Sequence, residues 1–387
     1  FGQFILFIEE KMTTIQEIDL NSKSQVNEFI KFQYDLYKGQ KNFCPPFYDD
    51  IKLMLNKAKH PFYEHSEGTF FVAKNDGKVV GRLGVFVNNP FNDYHKVKKG
   101  QFYLFDSIDD LEVASLLFDR AFNWCRERGL TEIVGPKGLS AFDGYGILVE
   151  GFEHRQMMTM MNYNFPYYPQ LLEKIGFEKE VDFVSCYLHS DNFDIPEKVR
   201  EVARRVLERG TFKVHSFTNK KEMIKNWASK LGVAYNKTFV NNWEYYPLSE
   251  KEVDLLVKNL IQVLDHRLIK IITHNDDIVG FLLAFPDITE ALQRHNGRIT
   301  PIAIIDILIE MKKTKWFSLN GAGVLPEYHG RGGNALLYYE MEKTMKDFGF
   351  IHGELTQVAE TAVQMRKDLI SVGGQPYKNH RVYKRKI

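Results

Sequence analysis

Only three cysteines, Cys44, Cys125 and Cys186, occur in 387 residues. They are odd in number, widely spaced and form no CxxC pair. That excludes a disulfide framework and a cysteine-ligated zinc cluster, and no metal is expected. A reducing, cytoplasmic compartment suits such a chain. Charge of one sign is missing as well: 51 Lys and Arg against 50 Asp and Glu leave a net charge of +1. No global field therefore draws nucleic acid or an anionic surface, and no nucleic-acid partner is favoured. Long apolar runs are absent too. The run near the start, Phe4 to Ile8, falls far short of the roughly 20 residues that span a bilayer. It lacks the basic flank and small-residue cleavage site of a secretory signal, so Met12 is read as the start and residues 1–11 as an extension.

The composition that remains, 44% hydrophobic and 26% charged, is that of a soluble globular chain. Its length suits two domains of about 150–200 residues each. From Met12 a short strand leads into a helix beginning near Ser22, and a second helix runs to about Lys57. A hairpin follows around the turn Asn75-Asp76-Gly77, where alternating β-branched and aromatic residues flank an Asp-Gly pair. Next come a strand at Phe102–Phe105, a helix from Leu111 stopped by Gly129, and a strand ending at Gly135. A glycine-rich stretch, a helix ending near Gly176 and a last strand to about Leu188 close the unit. Asp194 and Pro196 read as an N-cap and a first-turn proline opening a new helix. The boundary is therefore placed at 192, with units 12–192 and 193–387.

The second unit repeats the order of the first: strand, helices to about Leu264, a hairpin around Asn275-Asp276-Asp277, then strand, helix, strand, helix, strand. Val79-Val80-Gly81 matches Ile278-Val279-Gly280 about 200 residues later, a spacing that means duplicated domains rather than a solenoid. The expected fold is α/β with a mixed sheet, in tandem.

One loop carries chemistry. From Asn320 to Ala335 a strand ends at Pro326, a glycine-rich loop follows, and a helix begins. Glycines at a helix N-terminus leave backbone N–H groups unobstructed where the macrodipole is positive, which suits a pyrophosphate; Arg331 adds a charged donor. The Gly-Lys-Ser/Thr ending of a P-loop is missing, and the loop is not a Rossmann fingerprint. A merely structural glycine turn is the competing reading.

Here the chain resembles the GNAT N-acetyltransferase superfamily, whose motif runs V-x-P-x-x-R/Q-G-x-G-x-G/A between a strand and a helix. Val324, Pro326, His329, Gly330, Arg331, Gly332 and Asn334 stand at the matching positions. Over nearly the whole chain the likeness extends to bacterial tandem-GNAT proteins, through Lys59 to Tyr63, Gly151-Phe152, Met157 to Tyr168 and Pro326 to Tyr328. His329 stands where Arg or Gln is usual. Asn334 replaces Gly or Ala, and is read as a candidate helix cap. The resemblance implies acetyl-CoA or another acyl-CoA held by Gly323, Val324, Leu325, His329, Gly330, Arg331, Gly332, Gly333, Asn334 and Ala335. It also implies a strand splay that admits the pantetheine arm, with Gly321 and Gly323 allowing close approach or forming a bulge. The N-terminal unit offers only the acidic Asp106 to Asp110 at this place, and is expected to lack the coenzyme.

The implied activity is N-acyl transfer to a small-molecule amine or amino-acid-like acceptor. The alternative is a tandem protein that binds coenzyme A, or another ligand, without turnover. The leaving-group tyrosine of many relatives is replaced by Leu369. Tyr377 is the candidate substitute, since Tyr338 and Tyr339 lie on the wrong helix. Glu354 is the candidate base, with His352 on the same strand face as a second choice. Asp143, Tyr145, Asn164, Tyr167 and Tyr168 are candidates for the acceptor pocket, against a plain core reading. Met157, Met158, Met160 and Met161 are expected to fill core. The basic residues Lys378, Arg381, Lys384, Arg385 and Lys386 read as a solvated tail.

Overall fold

The computed structural model describes residues 12–140, 143–158, 161–240 and 242–387. The extension 1–11 and Met160 lie outside them. The strands of the first half are β1 (Thr14–Glu17), β2 (Glu67–Asn75), β3 (Lys78–Val87), β4 (Lys99–Ser107), β5 (Glu132–Gly135), β6 (Ile147–Glu150) and β7 (Glu178–His189). Those of the second are β8 (Lys213–His215), β9 (Ile269–His274), β10 (Asp277–Pro286), β11 (Trp316–Val324), β12 (His352–Ala359) and β13 (Gln375–Lys386). They form one mixed sheet in the order β1-β2-β3-β4-β5-β13-β7-β12-β11-β10-β9-β8, with β6 pairing on β13.

Both hairpins form where the turns require them. Asp76 and Gly77 adopt positive φ in the first, Asn275 and Asp276 in the second, which matches the twist of the strands they join. The helix Leu111–Glu127 lies on the first half of the sheet and buries Val113, Leu117, Phe118, Ala121 and Phe122 at helical spacing. Gly333–Phe348 does the same on the second half with Leu336, Leu337, Met341 and Met345. Each such side chain, fully buried, contributes roughly 1.5–3 kcal/mol.

The centre of the sheet departs from a simple tandem. β7, the last strand of the first chain segment, pairs antiparallel with β12 of the second. β13, the last strand of the second segment, pairs antiparallel with β5 of the first. The two exchanged strands then pair with each other, from Gln375 opposite Tyr187 to Lys384 opposite Glu178. The residues expected as a solvated tail therefore lie inside the sheet. Carboxylates on β7 make this tenable: Arg381 meets Asp182 at 2.8 Å and Lys384 meets Glu180 at 2.9 Å.

The helix at the boundary, Glu197–Glu208, is not capped by Asp194 as its sequence suggests. Pro196 is its N-cap and makes no side-chain cap bond; Asp194 instead accepts from Arg200 at 3.0 Å. After each hairpin stands a seven-residue helix absent from the sequence reading, Asn89–His95 and Thr289–His295. The second is followed by a further helix, Pro301–Lys313, which has no counterpart between His95 and β4.

Candidate active site

Strand β11 runs parallel to β12 only from Trp316 to Leu319, yet continues along β10 as far as Val324. Beyond Leu319 its other edge has no strand partner, and the two strands part. A register shift between Leu283 and Ala284 of β10 marks a bulge at this point. The extra residue is Asn320 on β11, so the bulge expected at this strand is present, immediately before Gly321. A Cβ on Gly323 would come 2.4 Å from Thr238 Cγ2, whereas one on Gly321 would meet nothing nearer than 3.8 Å.

The loop after β11 opens into this splay. Gly330 and Gly332 have φ of +74° and +87°, a region that side chains other than glycine rarely adopt. Gly332 is the N-cap of Gly333–Phe348, and no side chain caps that end. Its first N–H groups are thus left for a ligand. Asn334 sits inside the first turn and does not cap the helix, which corrects the sequence reading. His329 donates through Nε2 to the Val324 carbonyl at 2.8 Å, so it fastens the loop to the strand it leaves.

A cleft of about 830 Å³ contains this loop and reaches into the first chain segment. Of the expected coenzyme residues, Gly323, Val324, His329, Gly330, Gly332, Gly333, Asn334 and Ala335 line it; Leu325 and Arg331 do not. Leu325 is buried, and the Arg331 guanidinium lies over the Tyr328 ring. Leu369 lines the cleft where a tyrosine is usual.

Several lining residues escaped the sequence reading. Gln357, at positive φ, donates to the Tyr145 carbonyl at 3.0 Å and keeps a buried Oε1 without a donor. Glu244 meets Lys137 at 2.5 Å and Lys99 at 3.3 Å, and so ties the second segment to the first. Burial alone would raise its carboxyl; the two lysines outweigh that and hold it below the usual range. None of these had a local sequence signal: alternation along β12 breaks at a register shift between Leu355 and Val358, and Leu355, Thr356, Gln357, Val358 and Ala359 all line the cleft.

The expected catalytic pair is brought together, but elsewhere. Tyr377 donates to Glu354 Oε2 at 2.5 Å, and Lys378 reaches the same oxygen at 3.0 Å. Glu354 is fully buried, and neither it nor Tyr377 lines the cleft. Burial and the neighbouring carboxylate push the Tyr377 hydroxyl far up; burial pushes Lys378 down. His352 hydrogen-bonds the Tyr187 hydroxyl at 2.7 Å.

The acceptor candidates divide. Tyr145 lines the cleft, stacked 5.2 Å from Phe183. Asp143 lines a second cavity of about 210 Å³, which shares Leu139 and Ser140 with the cleft. Its carboxylate accepts from the Ser140 N–H at 2.8 Å, and burial raises its pKa to about 6. Met158 and Met161 are buried and also line this cavity, whereas Met157 is core. Asn164 is spent on the backbone of Leu148, Tyr167 on Ser107, and Tyr168 on Asp106, Tyr37 and Ser107.

The matching place in the first half is filled. β4 and β5 also part after a few pairs, but the Asp106 carboxylate is buried against Arg82 at 2.7 Å and accepts from Tyr37 at 3.0 Å. Burial holds it above the usual range despite Arg82. Asp110 then caps the following helix, accepting from the Glu112 and Val113 N–H groups, so those donors are spent on a side chain.

Among the described residues no helix is long and apolar enough to cross a membrane, and no group of three or more His, Cys, Asp or Glu is placed to hold a metal ion. The acetyltransferase (GNAT) family profile matches residues 33–136. Protein YghO of Escherichia coli is 24% identical over 375 residues, which cover 95% of this chain and 94% of the relative. The bacterial ceramide synthase of Caulobacter vibrioides is 26% identical over 377 residues, 96% of this chain and 97% of the relative. Among solved structures, a tandem GNAT protein from the clavulanic acid biosynthesis pathway superposes with a TM-score of 0.54 at 11% identity, over 97% of this chain and 98% of that one.

Proposed function

We propose that the chain, whose fold is that of tandem GNAT proteins, is an acyl-CoA-dependent N-acyltransferase with its coenzyme site in the C-terminal half. One observation carries the reading: an uncapped helix N-terminus, with two left-handed glycines before it, opens into the cleft where β11 leaves β12. The loop would hold the pyrophosphate through backbone N–H groups. The edge of β11 that turns from β12 after Leu319 would offer N–H donors from Gly321 onward to a developing oxyanion. Acyl-CoA, when bound, supplies the thioester carbonyl.

The acceptor nitrogen must be neutral to form the new C–N bond as the C–S bond breaks. Asp143 lines the second cavity, which adjoins the cleft at Leu139 and Ser140, and its carboxyl would hold the acceptor ammonium there and take its proton. No step is routed through Glu354 or Tyr377. The ceramide synthase relative supports a long-chain amino alcohol as the acceptor class, ceramide being the amide of such an amine. An amphipathic amine suits a cavity walled by Pro46, Phe47, Leu256, Leu260 and Phe285 around Asp143.

Thiol release from acetyl-CoA and a long-chain acyl-CoA, with and without a long-chain amino alcohol, tests the proposal. Amine-dependent release supports it. In parallel, coenzyme at ~100 times its dissociation constant should add about 2.7 kcal/mol of stability. Stabilisation without release under any amine would leave the binding-only alternative, and neither effect would sink the coenzyme site.

A further inference from the structure

The helix Pro301–Lys313, which the first half of the chain lacks, buries only one narrow stripe. Ala303, Ile307 and Met311 face inward, and Ile307 and Met311 pack with Ile288 and Leu292. On the outside stand Ile302 at 72% exposure, Ile305 at 60%, Leu308 at 54%, Ile304 at 47% and Ile309 at 43%. At about 100° per residue these five occupy one continuous arc of roughly 160°. Ile299, just before the helix, is exposed as well. Scattered surface aliphatics need no explanation, but a contiguous set on one helix face marks a contact surface.

The charges around the face select its occupant. Arg298, Lys312, Lys313 and Lys315 are exposed, and among the described residues none has an acidic partner within ion-pair distance. The helix's own acids are paired rather than free: Asp306 and Glu310 share Arg294 at 2.8 and 2.6 Å, and Asp306 also meets His295 at 2.9 Å. What faces outward is aliphatic apart from Lys312 at the C-terminal end of the arc, with Arg298 before the helix, over the Tyr48 ring, and Lys313 and Lys315 at and just after its end. That pattern complements the acyl boundary of a bilayer with anionic headgroups.

We propose that the helix Pro301–Lys313 docks the protein onto an anionic lipid surface, its isoleucines entering the headgroup–acyl boundary. The protein is then peripheral, held by one helix lying in the plane of the interface. The inference goes beyond the acyl-transfer reading and does not depend on it. It also gives that reading a setting, since Leu292 beneath this helix lines the second cavity, and an amphipathic amine resides in lipid.

Cosedimentation with vesicles of phosphatidylcholine, alone and with phosphatidylglycerol added, tests the proposal on the full chain. The protein should sediment with the anionic vesicles, and less so in high salt. The double variant I302D/I305D removes two of the most exposed aliphatics, so its melting temperature should match the parent while vesicle binding falls at least tenfold. The pair K312E/K313E should lower binding to the anionic vesicles by roughly fivefold per charge. A parent protein that ignores both vesicles would overturn the proposal, as would an I302D/I305D variant that binds like the parent. Self-association in analytical ultracentrifugation that I302D/I305D abolishes would assign the face to a second copy instead, and equally overturn it.

Discussion

Replacing Asn334 by Asp keeps the side-chain shape and adds one negative charge in the first turn of Gly333–Phe348. Asn334 is exposed and lines the cleft beside Gly332 and Gly333. For the protein alone the charge sits at the positive end of a helix macrodipole, worth about 0.3–1 kcal/mol of stabilisation. The melting temperature without ligand should therefore hold or rise by at most a few degrees. For a bound pyrophosphate the same charge is repulsive. At a separation of ~6 Å the Coulomb term is about 0.7 kcal/mol in bulk water and about 3 kcal/mol at a surface dielectric of ~20. Exposure of Asn334 favours the lower part of that range, so the dissociation constant for coenzyme A should rise roughly 5- to 30-fold. Titration calorimetry with free coenzyme A, at low and high salt, measures this, and the penalty should shrink as salt rises. The opposite signs make the test specific. An unchanged dissociation constant would remove the pyrophosphate from this helix end. A loss of ligand-free stability would refute the macrodipole argument.

Two further substitutions separate folding from chemistry. Asp106→Ala strands the Arg82 guanidinium, which is fully buried, and should cost about 3–5 kcal/mol in denaturant unfolding while leaving coenzyme affinity unchanged. A loss below about 1 kcal/mol would show that the pair is not essential to the first half. Asp143→Asn should act in reverse, because a carboxyl raised to about 6 favours folding only while protonated. Its contribution is complete below the unfolded value of 3.8 and is lost as pH climbs through 6. At pH 7 the Asn variant should thus be more stable than the parent by on the order of 2 kcal/mol, level with it near pH 3, and much slower in acyl transfer. Equal stability at every pH would mean that Asp143 is not desolvated.

The hairpins and the loop were legible because each rests on local chemistry. Asp76-Gly77 and Asn275-Asp276 must turn, and Gly330 and Gly332 serve a backbone that most residues avoid. The exchange of β7 and β13 was not legible. Both are long strands of similar pattern, and which sheet half each completes is a non-local matter that no short segment encodes. The face of β12 was likewise hidden: a period of two puts Glu354 and Leu355 on opposite sides, but not which side bears the cleft. Pro301–Lys313 has no local signal for a related reason. Its residues are apolar nearly all round, and no window of sequence separates a helix buried on every side from one left bare. The second cavity draws on residues from Cys44 to Leu292, a distance over which spacing carries no signal.

The exchanged strands have a consequence for how the molecule can be made and divided. β5 offers its free edge to a strand that emerges only after residue 374, so during synthesis the first-made half waits, open-edged, for the last-made element. Cutting the chain between β7 and the next helix would not release two working modules but would split both sheet halves. A premature stop within β13 would wound the part of the protein translated first. With their final strands crossed, the two halves of the sheet are inseparable.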